Sequence, residues 1–479
     1  MNNAWLIVPV LLPMLSAPLL LLIRHPAMCW LLAVFAAAGS ALTAGPLLEL
    51  TATQAQHYHF GAWLPPVGIE FVLDAFNTPL LLLTGGAAAL SLFAASPGVL
   101  QGPFAGREAV FYALFLLCLA GLNGILSTGD AFNVFVFLEI SSLTTYALVA
   151  AGPRPGSALA AFQYLILGTL GGSFVLLGIG FWLQATGSLN MADLDLRLDD
   201  TAFPAVALAG TVLLMLGFAL KAASFPLHQW LPAVYAAAPW PVTAFLAACA
   251  TKIAIYALIR LTLIVGDMGS LGLDVLGVVS LVGIVWGALS ACTQTDIRRL
   301  LAWSSVSQLA YVLFAFSLGT AAGVTAAFLQ LFAHASIKGG IFLALGPAGS
   351  RRDLEGLRGR DPWRTLLLTL LILGLLGVPL TAGFSAKWAL LGASYAAGHG
   401  LGLGVVVLSS LLAVIYCLRM LEPMWLAADP GPTPLQRITF AQSLPPLLAL
   451  SAMFWLGTHS EVAALGMRAA AVFGYGGNP

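Results

Sequence analysis

Apolar runs of bilayer length recur along the whole chain, separated by short polar pieces. About 20 consecutive apolar residues suffice for a membrane helix. Backbone in lipid must satisfy its own hydrogen bonds, which excludes open sheets there. The runs predict spans at 4–23, 27–48, 69–95, 109–127, 130–150, 158–184, 204–236, 240–264, 270–292, 298–318, 321–346, 364–396, 400–424 and 440–458. The expected fold class is therefore an all-α polytopic membrane protein with about 14 transmembrane helices and no soluble domain. The longest polar pieces are 49–68, 185–203 and 347–363. No basic residue precedes the first apolar run, and Arg24 follows it. A cleaved leader has the reverse order, so an uncleaved first span is expected.

Two spans are interrupted. "LKAASFPLHQWLP" carries Pro226 and Pro232, and "LLGVPLTAGFSAKWALL" carries Pro379 and Gly383. Proline removes a backbone donor. Backbone freed at membrane depth survives only where it is buried in protein or lines a cavity. Paired broken spans in two halves point to inverted repeats around a midplane site. Lys221 precedes the first break and Lys387 follows the second, which suits an inverted relation. Ordinary proline kinks in packed helices are the competing reading.

Composition agrees. The 479 residues are 60% hydrophobic and 8% charged, against about 25% charged in soluble domains. The net charge of zero gives no support for a nucleic-acid partner. The five cysteines stand alone and form no C-x-x-C, so no metal or iron–sulfur site is expected. "GPAGSRRDLEGLRGRDPW" lacks the G-K-[ST] of a phosphate loop, and no cofactor is expected.

The two basic residue types are distributed oppositely. With the N-terminus outside, the odd-numbered loops and their span edges hold Arg24, Arg107, Arg154, Arg298, Arg299, Arg351, Arg352, Arg358, Arg360, Arg364, Arg419 and Arg437. Arg197, Arg260 and Arg468 are the exceptions. Positive residues mark the cytoplasmic side, which places both termini outside. The four lysines, Lys221, Lys252, Lys338 and Lys387, all fall within spans. Arginine holds its proton permanently, whereas a buried lysine can release one. A charge at the bilayer centre costs about 2.5–3.5 kcal/mol on insertion scales, so such groups are functional by default. Among the acids only Glu139 lies deep in a span.

One acid cannot partner four lysines, so a proton wire is the better reading than structural ion pairing. His334 and Lys338 are four apart and share a helix face. His228 sits in the first break. Thr251, Tyr256, Ser304, Ser305, Ser307 and Gln308 could hold water chains, although hydroxyls more often bond their own helix. The expected route runs from Lys221 through Lys252, His334 and Lys338 to Lys387, gated by closing and opening of the Glu139–Lys221 pair.

"FLEISSLTTYALVA", "LKAASFPLHQWLPAVYAAAP", "PVTAFLAACATKIAIYALIR", "HASIKGGIFLALG" and "GVPLTAGFSAKW" resemble the antiporter-like subunits of respiratory complex I, Mrp-type cation/proton antiporters and membrane-bound hydrogenases. The resemblance is strongest from about 110 to 390. It implies two inverted five-helix repeats, discontinuous helices 7 and 12, and a central polar axis. The domains would be 1–108, 109–264, 265–424 and 425–479. Glu139, Lys221, Lys252, His334, Lys338 and Lys387 match the family's proton-transfer positions.

Length, Lys387 and "GFSAKW" look most like the D subunit of an Mrp-type Na+/H+ antiporter. The alternative is a membrane-arm subunit of an NADH-quinone oxidoreductase or hydrogenase. The resemblance implies other membrane subunits as partners, protons and sodium or potassium as transported ions, and a bacterial or archaeal-type plasma membrane. The chain ends soon after its last span, so no long lateral helix is expected. A quinone-binding redox enzyme, a solute symporter and a non-conducting scaffold are the competing functions.

Overall fold

The computed structural model describes residues 3–475 apart from 101, 199, 265–266, 429–437 and 439. Arg437 lies outside the described residues. In chain order the helices are α1 (Val8–Leu20), α2 (Pro26–Leu50), α3 (Asn77–Ala94), α4 (Glu108–Ser127), α5 (Ala131–Ala150), α6 (Ser157–Thr186) and α7 (Met191–Leu198). Next come α8 (Pro204–Lys221), α9 (Trp230–Ala237), α10 (Trp240–Phe245), α11 (Thr251–Leu263), α12 (Asp267–Thr293), α13 (Ile297–Ser317) and α14 (Ala321–Leu345). The chain continues with α15 (Arg351–Leu354), α16 (Leu357–Arg360), α17 (Pro362–Leu376), α18 (Ala382–Ala396), α19 (Gly400–Trp425), α20 (Phe440–Thr458) and α21 (Glu461–Val472). A π-helical turn, Leu246–Ala250, joins α10 to α11.

Among the described residues, 11 helices are long and apolar enough to cross a membrane, and Ala4–Leu20 and Pro362–Leu376 are shorter apolar helices. The protein is an all-α, multi-pass membrane protein.

Span boundaries fall close to those expected, with one correction. Residues expected to open the third span instead form β2 (Glu70–Leu73), paired antiparallel with β1 (Gln56–His59). "IEFVL" is apolar enough to extend a span, but Asp74 ends the run. Its carboxylate accepts the N–H groups of Phe76 and Asn77 and turns the chain into α3. The short helices α7 and α21 lie in segments too polar or too short to read as spans.

Both breaks are present. One lies between α8 and α9 and contains Pro226; the other lies between α17 and α18 and contains Pro379. Each carries a non-glycine residue in the left-handed region, Ala223 at φ 53° and Leu380 at φ 74°. Such conformations persist only where the surroundings over-determine them. Pro232 and Gly383 are not in the breaks. Pro232 is the third residue of α9, in the first turn where its missing N–H costs nothing. Gly383 is the second residue of α18, where a Cβ would collide with the carbonyl oxygen of Gly374.

The chain forms two compact units. The first comprises Met1–Ala222, Cys249–Val275 and Val472–Gly474; the second comprises Ala223–Ala248 and Leu276–Ala471 with Tyr475.

In the first unit, α6 and α8 approach at glycines spaced seven apart on each helix. A Cβ on Gly178 would lie 2.7 Å from the Gly210 carbonyl oxygen, and one on Gly217 would lie 2.6 Å from that of Gly171. Lipid gives helices no hydrophobic reason to associate, so close backbone packing of small residues holds such pairs.

In the second unit α14 is central, packed against α10, α13, α17, α18 and α20. Arg298 belongs to this packing. Its place at a span edge suggests a solvated loop cation, but only 3% of it is exposed. Its guanidinium donates to the carbonyls of Ala348 (2.9 Å), Gly346 (2.9 Å) and Ala238 (3.2 Å). It thereby satisfies carbonyls left open just past the ends of α9 and α14.

A local pattern occurs in both units. Asp130 accepts the Asn133 N–H and caps α5, and Asp296 accepts the Arg299 N–H and caps α13. Each aspartate also bridges, antiparallel, to a residue just after the following long helix: Asp130 to Asn190 and Asp296 to Ser350.

Candidate functional site

In the first unit the site begins on α5. Glu139, Ser142 and Tyr146 are spaced three and four apart, which aligns them on one face. Lys221, the last residue of α8, meets them. Its Nζ donates to Ser142 Oγ at 2.7 Å and to Tyr146 Oη at 3.2 Å, with Glu139 Oε1 at 3.9 Å. The ammonium is thus held by hydroxyls, with the carboxylate at the outer limit of an ion pair. The lysine side chain is 5% exposed and that of Glu139 is 25% exposed.

Two glycines of α6 make room for this cluster. A Cβ on Gly172 would collide with Glu139 Oε1, and one on Gly168 would collide with Tyr146 Oη. Gly172→Ala is therefore expected to displace the carboxylate and change its spacing from Lys221. An ångström of misplacement can cost about two orders of magnitude in a positioned reaction. We expect ion transport to fall roughly tenfold with little change in melting temperature, both measured on purified, reconstituted protein. Unchanged transport would show that the carboxylate position does not matter.

Lys252 is fully buried on α11, directly after the π turn. Such turns often mark functional sites. Tyr256 follows one turn later. Its hydroxyl donates to the Leu126 carbonyl at 3.2 Å and accepts from Asn77 at 3.4 Å.

In the second unit, His334 and Lys338 share a face of α14 and are 2% and 0% exposed. Lys338 Nζ donates to the Leu301 carbonyl at 2.9 Å and to Ser304 Oγ, both on α13. Lys387, on α18, reaches back across the break to α17, donating to the carbonyls of Leu376 at 2.8 Å and Leu375 at 3.3 Å. These belong to the last turn of α17, whose carbonyls lack helical partners. The break that frees the carbonyls also brings the lysine that satisfies them. Gly377, at φ +90°, permits the turn, and a Cβ there would lie 3.2 Å from Lys387 Cδ. His228 stacks on Phe225 and meets Trp303 edge-on, with ring centroids 5.6 and 5.0 Å apart.

Every expected site residue is thus on a span or in a break, and the expected pair, Glu139 with Lys221, does meet. Sequence reasoning missed Ser142, Tyr146, Gly168 and Gly172. The spacing 139, 142, 146 was the available signal on α5. For the glycines, only a four-residue step of small residues in α6 hinted at it.

The chain matches the family model "NADH:quinone oxidoreductase/Mrp antiporter, TM" over residues 128–413. It is 39% identical to the N subunit of an NADH-quinone oxidoreductase from Desulforudis audaxviator, over 83% of this chain and 82% of that one. It is 28% identical to the D subunit of the Na(+)/H(+) antiporter of Bacillus subtilis, over 96% and 94% of the two chains. Among solved structures, a chain of the Mrp complex from Dietzia sp. superposes with a TM-score of 0.88 at 27% identity, covering 98% of both chains. Sequence, fold and lysine-centred geometry lead to one assignment: this chain belongs to the NADH:quinone oxidoreductase/Mrp antiporter transmembrane family.

Proposed function

We propose that the chain is the proton-conducting membrane subunit of a multisubunit monovalent cation/proton antiporter, similar to the Mrp D subunit. Glu139, Lys221, Lys252, His334, Lys338 and Lys387 carry the protons, and His228 and Tyr256 are accessory. The observation that carries this reading is the Lys221 cluster. An ammonium held by two hydroxyls, with its carboxylate 3.9 Å away, is a pair already loosened. Small movements of α5 or α8 close or open it. A closed pair keeps the proton on Lys221, and an open one lets it go.

Partners follow from Glu139. A carboxylate that is 25% exposed in mid-span cannot face hydrocarbon cheaply, so a neighbouring membrane subunit or lining water covers it. The repeated aspartate caps and bridges support two inverted five-helix repeats, at 109–264 and 265–424, flanked by 1–108 and 425–479. The arginine distribution supports a plasma-membrane orientation with both termini outside.

A second reading, a proton-pumping subunit of an NADH-quinone oxidoreductase, is favoured by the 39% identity to an N subunit of such a complex. Purifying the native assembly separates the two: bound flavin and iron–sulfur absorbance identifies the redox complex. Either reading is tested by Lys221→Met and Glu139→Gln in proteoliposomes of that assembly. We expect the lysine variant to lose proton movement roughly hundredfold, within the range of a positioned proton carrier. Normal transport by Lys221→Met would defeat both readings.

A further inference from the structure

The β1–β2 hairpin brings together three metal-ligating side chains that the lysine row does not use. His57 and His59 are two apart on β1, so both rings project from one face of the hairpin. Register sets Glu70 of β2 directly opposite His59, on that same face, with His57 diagonal to it. One carboxylate oxygen serves both rings. Glu70 Oε2 is 2.9 Å from Nδ1 of His57 and 3.5 Å from Nδ1 of His59. Ligand atoms around a tetrahedral zinc ion stand about 3.4 Å apart, given metal–ligand bonds of about 2.0–2.2 Å. The two N···O distances fall on either side of that spacing.

Two further features point to a ligand. His59 Nδ1 is buried and makes no hydrogen bond among the described residues, so this ring is aimed at the carboxylate without being satisfied by it. Glu70, in turn, is fixed from behind. Its side chain is 4% exposed, its Oε1 accepts from Asn190 Nδ2 at 2.8 Å, and its carbonyl accepts from the Gly129 N–H at 3.0 Å. An outer donor such as Asn190 orients a ligating carboxylate.

An ion can reach these groups. His57 and Glu70 line a pocket of about 430 Å³, together with Asp195 and Arg260. Arg260, the cation among them, is paired with Asp74 Oδ2 at 2.7 Å, so the charge left at the pocket favours a cation. Among the described residues the three ligands do not yet surround one point. The two rings stand stacked with centroids 6.1 Å apart and must turn inward to close the set. They are 47% and 31% exposed, which leaves them room to turn while the buried carboxylate stays in place.

We propose that His57, His59 and Glu70 form a binding site for a divalent transition metal, zinc above all, which clamps β1 onto Glu70 and its Asn190 support. Two imidazoles and one carboxylate suit zinc, whereas calcium and magnesium take oxygen ligands. Water from the pocket fills the fourth position. The cysteines gave no reason to expect a metal; this site uses none of them and forms only through the strand register. It stands whichever transport reading holds.

The test uses the intact assembly, stripped of loosely held metal by a chelator and then titrated with zinc. The wild type should hold one zinc more per copy of this chain than His57→Ala or His59→Ala, whose part-exposed rings are not needed for folding. Asn190→Ala should keep that ion with affinity lowered roughly tenfold to hundredfold. Amide hydrogen exchange of residues 56–59 should slow when zinc is added to the wild type and not when it is added to His59→Ala. Equal zinc content in the wild type and both histidine variants would overturn the proposal. So would exchange at 56–59 that zinc leaves unchanged. Calcium or magnesium slowing that exchange as much as zinc would overturn it too, because that marks mere charge screening at the pocket.

Discussion

Methionine in place of Lys252 is expected to stop proton transport and leave the protein at least as stable as before. Lys252 is fully buried in a long apolar segment. Taking an ammonium out of water costs several kcal/mol, and replacing buried ions by well-packed apolar residues is often neutral or stabilising by about 1–4 kcal/mol. Methionine has similar length and fills irregular space. A lysine kept for stability would give the opposite result, a lower melting temperature with transport reduced only in proportion to lost protein. Thermal unfolding of the purified assembly and proton flux per folded complex separate the outcomes. A destabilised but conducting Lys252→Met variant would remove this residue from the proton path.

Gly217→Val is expected to produce the largest loss of stability. The new Cβ would lie 2.6 Å from the Gly171 carbonyl oxygen and 2.7 Å from Val175 Cγ2. The carbonyl is helix backbone and cannot swing aside, so α8 must move off α6. Overpacking costs about 1–3 kcal/mol, and a clash with backbone belongs at the top of that range. Lys221 lies one turn beyond Gly217, so transport should fail in the protein that still folds. Gly180→Val on α6 is the control, because nothing lies within 4 Å of a Cβ there. Equal melting temperatures for the two variants would remove the glycine contact as the basis of the α6–α8 packing.

Much of the fold was legible because the bilayer forces a simple code. A span must be long, apolar and helical, and α4, α5, α13 and α14 begin and end within about two residues of the expected bounds, the usual uncertainty of helix ends. The β1–β2 hairpin was hidden because "IEFVL" suits a strand and a span end equally. The lysines and Glu139 were legible because a charge among apolar residues stands out.

What joins them was not legible. Which hydroxyl meets Lys221 depends on the crossing of α5 and α8, and no pattern along one chain encodes that. The glycines at 168 and 172 make room for side chains of α5, a helix that precedes them in the chain. Arg298 read as a topology marker, since nothing local reveals that three carbonyls from two helix ends converge on it. Likewise Glu70 fell at the start of the expected third span, and nothing along the chain paired it with a histidine until the hairpin register set His59 opposite it.

The reach of Lys387 to the carbonyls of Leu375 and Leu376 ties chemistry to hydration. An ammonium has three N–H groups to give; a neutral amine has two, and a lone pair besides. In the proposed route the two carbonyls keep two of the three N–H groups, the third is the one that departs, and the lone pair it leaves wants a donor at a depth where lipid offers none. Something must refill that vacancy on every turnover, and water is the smallest candidate. Each cycle of that route would then wet and dry the joint between the half-helices, and the rate at which water enters there would set a ceiling on how fast the subunit runs.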